Sequence, residues 1–279
     1  MNALEIAEAL RVLETNLPRD IEEALARCLD GEEGNSRDVM KAIVENVKYA
    51  RDRKIPMCQD TGSLAFFVKC NRGLKGISEA IENGIRLATK AVPLRANTVN
   101  PFSRCNEGSN LGRGNPIVHF EVGSEDEVEM AIMAKGAGSE NVSRVFMLNP
   151  DEGIEGLKYS ILESVRKAGA KPCPPVIVGI GVGGTLDWAA YLSKKALLRP
   201  LDDHADDPTV AQLEDELLKG INGMKIGPMG FGGKTTSLGV KVEWAYCHTA
   251  SLPVSVNIQC WALRKVFAHW KGDEFRITW

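Results

Sequence analysis

The stretch KPCPPVIVGIGVGGT, residues 171–185, restricts the possible folds of this chain more than any other. Its prolines cannot donate to a strand ladder, so a strand can begin only after them. The apolar run 176–180 that follows is short, β-branched and bounded by glycine, which is the composition of a strand buried on both faces. Residues 186–197 then read as a helix, and a strand–glycine turn–helix unit of this kind belongs to an α/β architecture. The most apolar stretch, 174–186, falls well short of the roughly 20 residues needed to span a bilayer, so no membrane role is expected.

The first fifty residues are helical in pattern. Leu4, Ala7, Leu10 and Leu13 recur at helical spacing, and Pro18 can open a second helix that Gly31 closes. Ser36 is the predicted N-cap of a third, with Val39, Ile43, Val44 and Val47 on one face. Beyond them, 63–70, 117–122 and 145–148 read as strands, with a glycine-rich bend, KGAGSEN, between the last two. Residues 77–92, 153–168 and 209–221 read as helices, and 97–114 as a long polar loop of the kind that is either mobile or functional. Leu238, Val240, Val242, Trp244 and Tyr246 alternate with polar or small neighbours, as in a strand with one buried face, and 251–260 follows as another. The expected fold is mixed α/β, with residues 1–55 mainly helical and an α/β lobe built on a mixed sheet.

At 279 residues either one large domain or two lobes is possible. A formal charge of −3 offers no field that would draw the chain to nucleic acid. The N-terminus has no positive n-region, so a cytoplasmic protein is expected. Seven cysteines are too few for a disulfide scaffold of this size.

Three motifs carry possible chemistry. In VGIGVGGT, Gly179, Gly181 and Gly184 satisfy the spacing of a dinucleotide fingerprint, with Asp202 and Asp203 downstream, but no second βαβ half is evident; close strand–helix packing explains them better. GPMGFGGKTT (227–236) resembles a phosphate loop but has Pro228 where the first glycine is required. Its backbone N–H groups could still cradle a carboxylate or a cluster sulfide. PMCQDTG (56–62) gathers Cys58, Gln59, Asp60 and Thr61 in one turn; turn chemistry accounts for Asp60, Thr61 and Gly62 but not for the thiol. Cys28, Cys70, Cys105 and Cys247 read as neutral thiols. Cys58, Cys173 and Cys260 each stand at a junction between elements, though none belongs to a CxxC pair.

PMCQDTG, AKGAGSEN, KPCPPVIVGIGVGGT, GPMGFGGKTT and HTASLPVSVNIQCWA, in this order, resemble the N-terminal part of class I fumarate hydratases and L(+)-tartrate dehydratase. The similarity runs from about residue 36 to residue 270. It implies that Cys58, Cys173 and Cys260 hold a 4Fe–4S cluster with one open iron, which acts as a Lewis acid on a small hydroxy dicarboxylate. By the same resemblance Gln59 and the backbone at Gly138 bind substrate oxygens, Arg95 holds a carboxylate, His248 binds or polarises the distal carboxylate, and Asp60 tunes the base. Ala137 and the segment CNEGSN depart from the family pattern and bear on the shape of the pocket. The family's catalytic threonine and its second domain are not found in this sequence. The resemblance therefore implies an α subunit completed by a β subunit, in a symmetric higher-order α–β assembly.

Fumarate/malate is the leading substrate on this reading and L(+)-tartrate the alternative. A non-catalytic iron–sulfur electron-transfer or regulatory subunit, and a nicotinamide dehydrogenase resting on VGIGVGGT, are the readings from other classes.

Overall fold

A computed structural model describes residues 1–71, 74–124 and 127–279, the side chains of 74 and 75 excepted. The helices are α1 (Ala3–Thr15), α2 (Arg19–Gly31), α3 (Gly34–Arg53), α4 (Leu74–Ala91), the short α5 (Ala137–Glu140), α6 (Gly153–Ala168), α7 (Leu186–Ala196) and α8 (Pro208–Gly223). The strands are β1 (Ser63–Cys70), β2 (Ile117–Val122), β3 (Glu127–Lys135), β4 (Arg144–Leu148), β5 (Val176–Val182), β6 (Ser237–Trp244), β7 (Leu252–Gln259), β8 (Arg264–Lys271) and β9 (Glu274–Thr278). The architecture is mixed α/β with a helical N-terminus. No helix among the described residues is long and apolar enough to cross a membrane.

The chain divides into two units, the first made of residues 1–19, 45–137 and 262–279, the second of 20–44 and 138–261. In the first unit the sheet order is β2-β1-β3-β8-β9, with β1 and β2 parallel and the other pairs antiparallel. Its core joins Ile6, Leu10 and Leu13 of α1 and Ile77, Ile81 and Ile85 of α4 to Phe66, Ile132 and Val266 of the sheet. Helix α1 starts on a reciprocal cap: the Asn2 side chain accepts from the Leu4 and Glu5 N–H groups, and the Glu5 carboxylate accepts from the Asn2 N–H.

In the second unit the sheet order is β4-β7-β5-β6; β5 and β6 are parallel, and β7 runs antiparallel to both its neighbours. Val178 and Ile180 join Ile161 of α6 and Leu217 and Ile221 of α8 in one core. The residues alternating with them, Gly179 and Gly181, face the other way, against α7. A Cβ on Gly181 would stand 2.0 Å from the Ala189 carbonyl oxygen, and one on Gly179 would stand 2.2 Å from that of Ser193. The glycines of VGIGVGGT therefore let a helix lie directly on a strand, and the four-stranded order with an antiparallel β7 is not a dinucleotide fold.

Two features depart from the sequence reading. Helix α3 begins at Gly34 rather than beyond Ser36, whose hydroxyl donates to the Glu32 carboxylate (2.9 Å) and the Glu33 carbonyl (2.8 Å) instead of capping the helix. Strands β3, β8 and β9 have no counterpart in that reading. EVEMAIMAK is rich in helix formers, but as β3 it pairs on one side with β1 and on the other with β8, and sheet context overrides local propensity.

Candidate active site

The PMCQDTG turn sits in the first unit, and its conformation follows from one side chain. Asp60 Oδ1 accepts the Gly62 N–H at 2.9 Å and the Asn97 amide at 3.3 Å, while Oδ2 accepts the Ala137 N–H at 2.8 Å. Both oxygens thus accept N–H donors, and through them Asp60 holds the turn. Gly62 makes the turn possible: its φ is +80°, and a Cβ there would stand 2.8 Å from the Lys135 backbone nitrogen. The Thr61 hydroxyl donates to the Arg95 carbonyl at 3.3 Å, which ties the PLRANT segment to the same turn. Asn97 is held in turn by Asn110, whose buried side chain accepts the Asn97 N–H at 2.9 Å. Cys58, Gln59 and Arg95 are exposed on this framework.

Beneath the turn lies a pair that the sequence reading passed over. Glu14, at the end of α1, is fully buried and Arg264 is 1% exposed, with guanidinium and carboxylate 2.6 Å apart. The Glu14 carbonyl accepts the Met57 N–H at 3.0 Å, directly before Cys58. Burial pushes the Glu14 carboxyl up to about 7; the Arg264 charge pulls it down, and Asp60 adds to the rise. The signal in the sequence was a charged residue one position after Leu13 on the apolar stripe of α1.

In the second unit Cys173, Cys260 and Gly138 come to one end of the sheet. Ile177 of β5 is paired with Gln259 of β7, so the chain entering β5 and the chain leaving β7 adjoin. The Trp261 N–H donates to the Cys173 carbonyl at 3.4 Å, and a Cβ on Gly138 would stand 3.3 Å from the Lys171 carbonyl oxygen. Cys173 has φ +55°, in the left-handed region, at a cost of order 1–3 kcal/mol for a residue with a Cβ. Its own N–H is held by the Ala170 carbonyl at 3.1 Å, and the next carbonyl, that of Pro174, accepts the Met229 N–H at 2.7 Å. The Gln259 amide lies 3.6 Å from the Cys260 sulfur as a donor.

His248 lies elsewhere. It precedes β7 whereas Cys260 follows it, and eight strand residues put about 26 Å between the two ends. The imidazole is exposed, its Nδ1 accepting the Ala250 N–H at 3.1 Å, which leaves Nε2 to carry the proton. It lines a cavity of about 500 Å³ with Met147, Thr185, Trp188, Tyr246 and Ser251.

No disulfide involves any of the seven cysteines. Among the described residues, no three His, Cys, Asp or Glu side chains are grouped so as to hold a metal ion. Cys58 belongs to the first unit; Cys173 and Cys260, on adjoining backbone in the second, are the soft thiol donors that an iron–sulfur cluster takes.

The family model described as fumarate hydratase (Fumerase) matches residues 3–269. The chain is 44% identical, over 96% of its length and 97% of the relative's, to a protein of Methanocaldococcus jannaschii provisionally named L(+)-tartrate dehydratase subunit alpha. It is 33% identical to the L(+)-tartrate dehydratase subunit alpha of Escherichia coli K12, over 93% of this chain and 88% of that one. This chain belongs to the fumarate hydratase (Fumerase) family, a family of hydro-lyases.

Proposed function

We propose that the chain is the α subunit of a two-subunit hydro-lyase that eliminates water from a four-carbon 2-hydroxy dicarboxylate. Cys58, Cys173 and Cys260 would hold a 4Fe–4S cluster. The observation that carries this reading is the strained Cys173 fixed against the Cys260–Trp261 backbone, since a left-handed non-glycine residue is retained where the surrounding structure over-determines it. Both relatives carry the tartrate name along nearly their whole length, which favours L(+)-tartrate as substrate; the family name supports malate and fumarate as the second reading.

The reaction breaks one C–H and one C–O bond on neighbouring carbons. Malate yields fumarate and water; tartrate yields the enol of oxaloacetate and water. A bound cluster would supply Lewis acidity at the departing hydroxyl. Arg95 has the planar fork that pairs with a carboxylate, and its backbone is tied to the Cys58 turn through Thr61. Gln59 offers an amide donor and acceptor to substrate oxygens, and the Gly138 backbone would offer its N–H. Asp60 keeps the turn that carries Gln59 in place. The proton-accepting group comes from the β subunit on this reading.

The test is anaerobic co-expression with the partner subunit, followed by assay of L(+)-tartrate, (S)-malate and fumarate. Turnover of tartrate with weak malate activity supports the first reading and the reverse supports the second. A complex that is loaded with iron and dehydrates neither acid overturns both.

A further inference from the structure

The loop 227–236 contributes no side chain to the proposed reaction, yet it brackets Cys173. The Met229 N–H donates to the Pro174 carbonyl at 2.7 Å on one side, and on the other the Thr236 carbonyl accepts the Val176 N–H at 2.8 Å. The loop also closes on itself. The Gly232 N–H reaches the Ile226 carbonyl at 2.9 Å, and a Cβ on Gly227 would stand 1.6 Å from the Gly232 oxygen.

Asn222 Oδ1 holds the end of this loop by accepting the Thr236 N–H at 2.8 Å, and its middle is held by a carboxylate two hundred residues away in sequence. Glu32 is 2% exposed. It accepts the Lys234 N–H at 2.9 and 3.0 Å, the Thr235 N–H at 2.7 Å and the Ser36 hydroxyl at 2.9 Å. Successive backbone N–H groups around one anion form a nest, and here the anion is the chain's own side chain. Burial pushes the Glu32 carboxyl up, but the Lys234, Ser36 and Thr235 donors outweigh it and hold it below the usual carboxylate range. Gly233 has φ +120°, and a Cβ there would stand 2.3 Å from Glu32 Oε2.

We propose that Glu32 is a positioning residue for Cys173: seated in the Lys234–Thr235 nest, its carboxylate locks the loop 227–236, and the loop holds the left-handed Cys173 backbone beside Cys260. The functional meaning of this role rests on the reading of Cys173 as a cluster ligand. The positioning itself does not, and the two are tested separately.

The full-length, iron-free chain is alkylated with iodoacetamide under reducing, anaerobic conditions, and the rate at each cysteine is read by mass spectrometry. In Glu32→Ala the rate at Cys173 should change about tenfold, the scale of losing a charge-assisted hydrogen bond. Glu32→Gln keeps one acceptor and should change it less, and Gly233→Ala, which crowds the carboxylate, should act in the same direction. Cys70, 4% exposed in the other unit, should stay protected in all three. An unchanged Cys173 rate in Glu32→Gln and Gly233→Ala overturns the proposal even if Glu32→Ala does not fold. So does a rise at Cys70 equal to that at Cys173, which would mean general loosening. Iron loading of the wild-type chain is measured in parallel. A wild type that takes up no iron refutes the ligand reading alone, while a loaded wild type with an insensitive Cys173 refutes the positioning role alone.

Discussion

Two forces act on the Glu14 carboxyl in opposite directions. Burial raises it and the Arg264 charge lowers it, and with burial dominant it titrates near 7 instead of 4.5. A raised carboxyl favours the protonated folded form. Its contribution to stability is therefore complete below pH 4.5 and is lost as the pH rises through 7. Urea unfolding over a pH series should show wild type losing on the order of 3 kcal/mol relative to Glu14→Gln across that window. A flat difference between the two would mean a carboxyl ionised throughout. At Asp60, replacement by Asn leaves one acceptor oxygen for the Gly62 and Ala137 N–H groups, which Asp60 receives on opposite oxygens. Activity of the assembled enzyme should fall about 10- to 100-fold while iron content is retained, as when an outer partner of a metal site is lost. Loss of iron in step with activity would assign Asp60 to the cluster rather than to the turn.

Helices and strands with strong periodicity were legible in the sequence: β1, β2 and α6 fall on the residues that their patterns mark. Strand β3 was not, because Glu, Met, Ala and Lys favour a helix until β1 and β8 pair with it from both sides. The β8–β9 hairpin did leave a cue, the two-residue Gly272-Asp273 turn with Gly272 at φ +58°. Ser36 misled for a local reason: the Glu32 carboxylate, buried by loop 227–236, takes its hydroxyl. The link between α8 and β6 could not be read from spacing at all. Glu214 accepts the Val242 N–H at 2.7 Å and the Arg199 guanidinium at 2.9 Å, far apart in sequence. Glu214 is 4% exposed there, so Arg199→Ala strands a buried charge and should cost about 3–5 kcal/mol in chemical unfolding. A loss below about 1 kcal/mol would be that of a solvated surface pair.

Across the whole molecule, the candidate site was legible through its motifs, and its layout only in part. The resemblance pointed to Cys173, Cys260 and Gly138, which the second unit gathers at one end of its sheet. His248 was named with them, although a strand between 251 and 260 already implied opposite ends. If His248 acts in the proposed reaction, another copy of the chain has to present it to the cysteine end. Coexpressing Cys173→Ser and His248→Ala chains with the partner subunit should then restore part of the activity that each lacks alone. No recovery would leave His248 to its own cavity. The proposed cluster, however, is the claim on which the functional reading stands. The most direct test is iron and sulfide analysis of the chain purified anaerobically, for wild type and for Cys58→Ser, Cys173→Ser and Cys260→Ser. The expected result is about four irons per wild-type chain and loss of the cluster in each variant. A colourless wild type, or three variants that keep their iron, would contradict it.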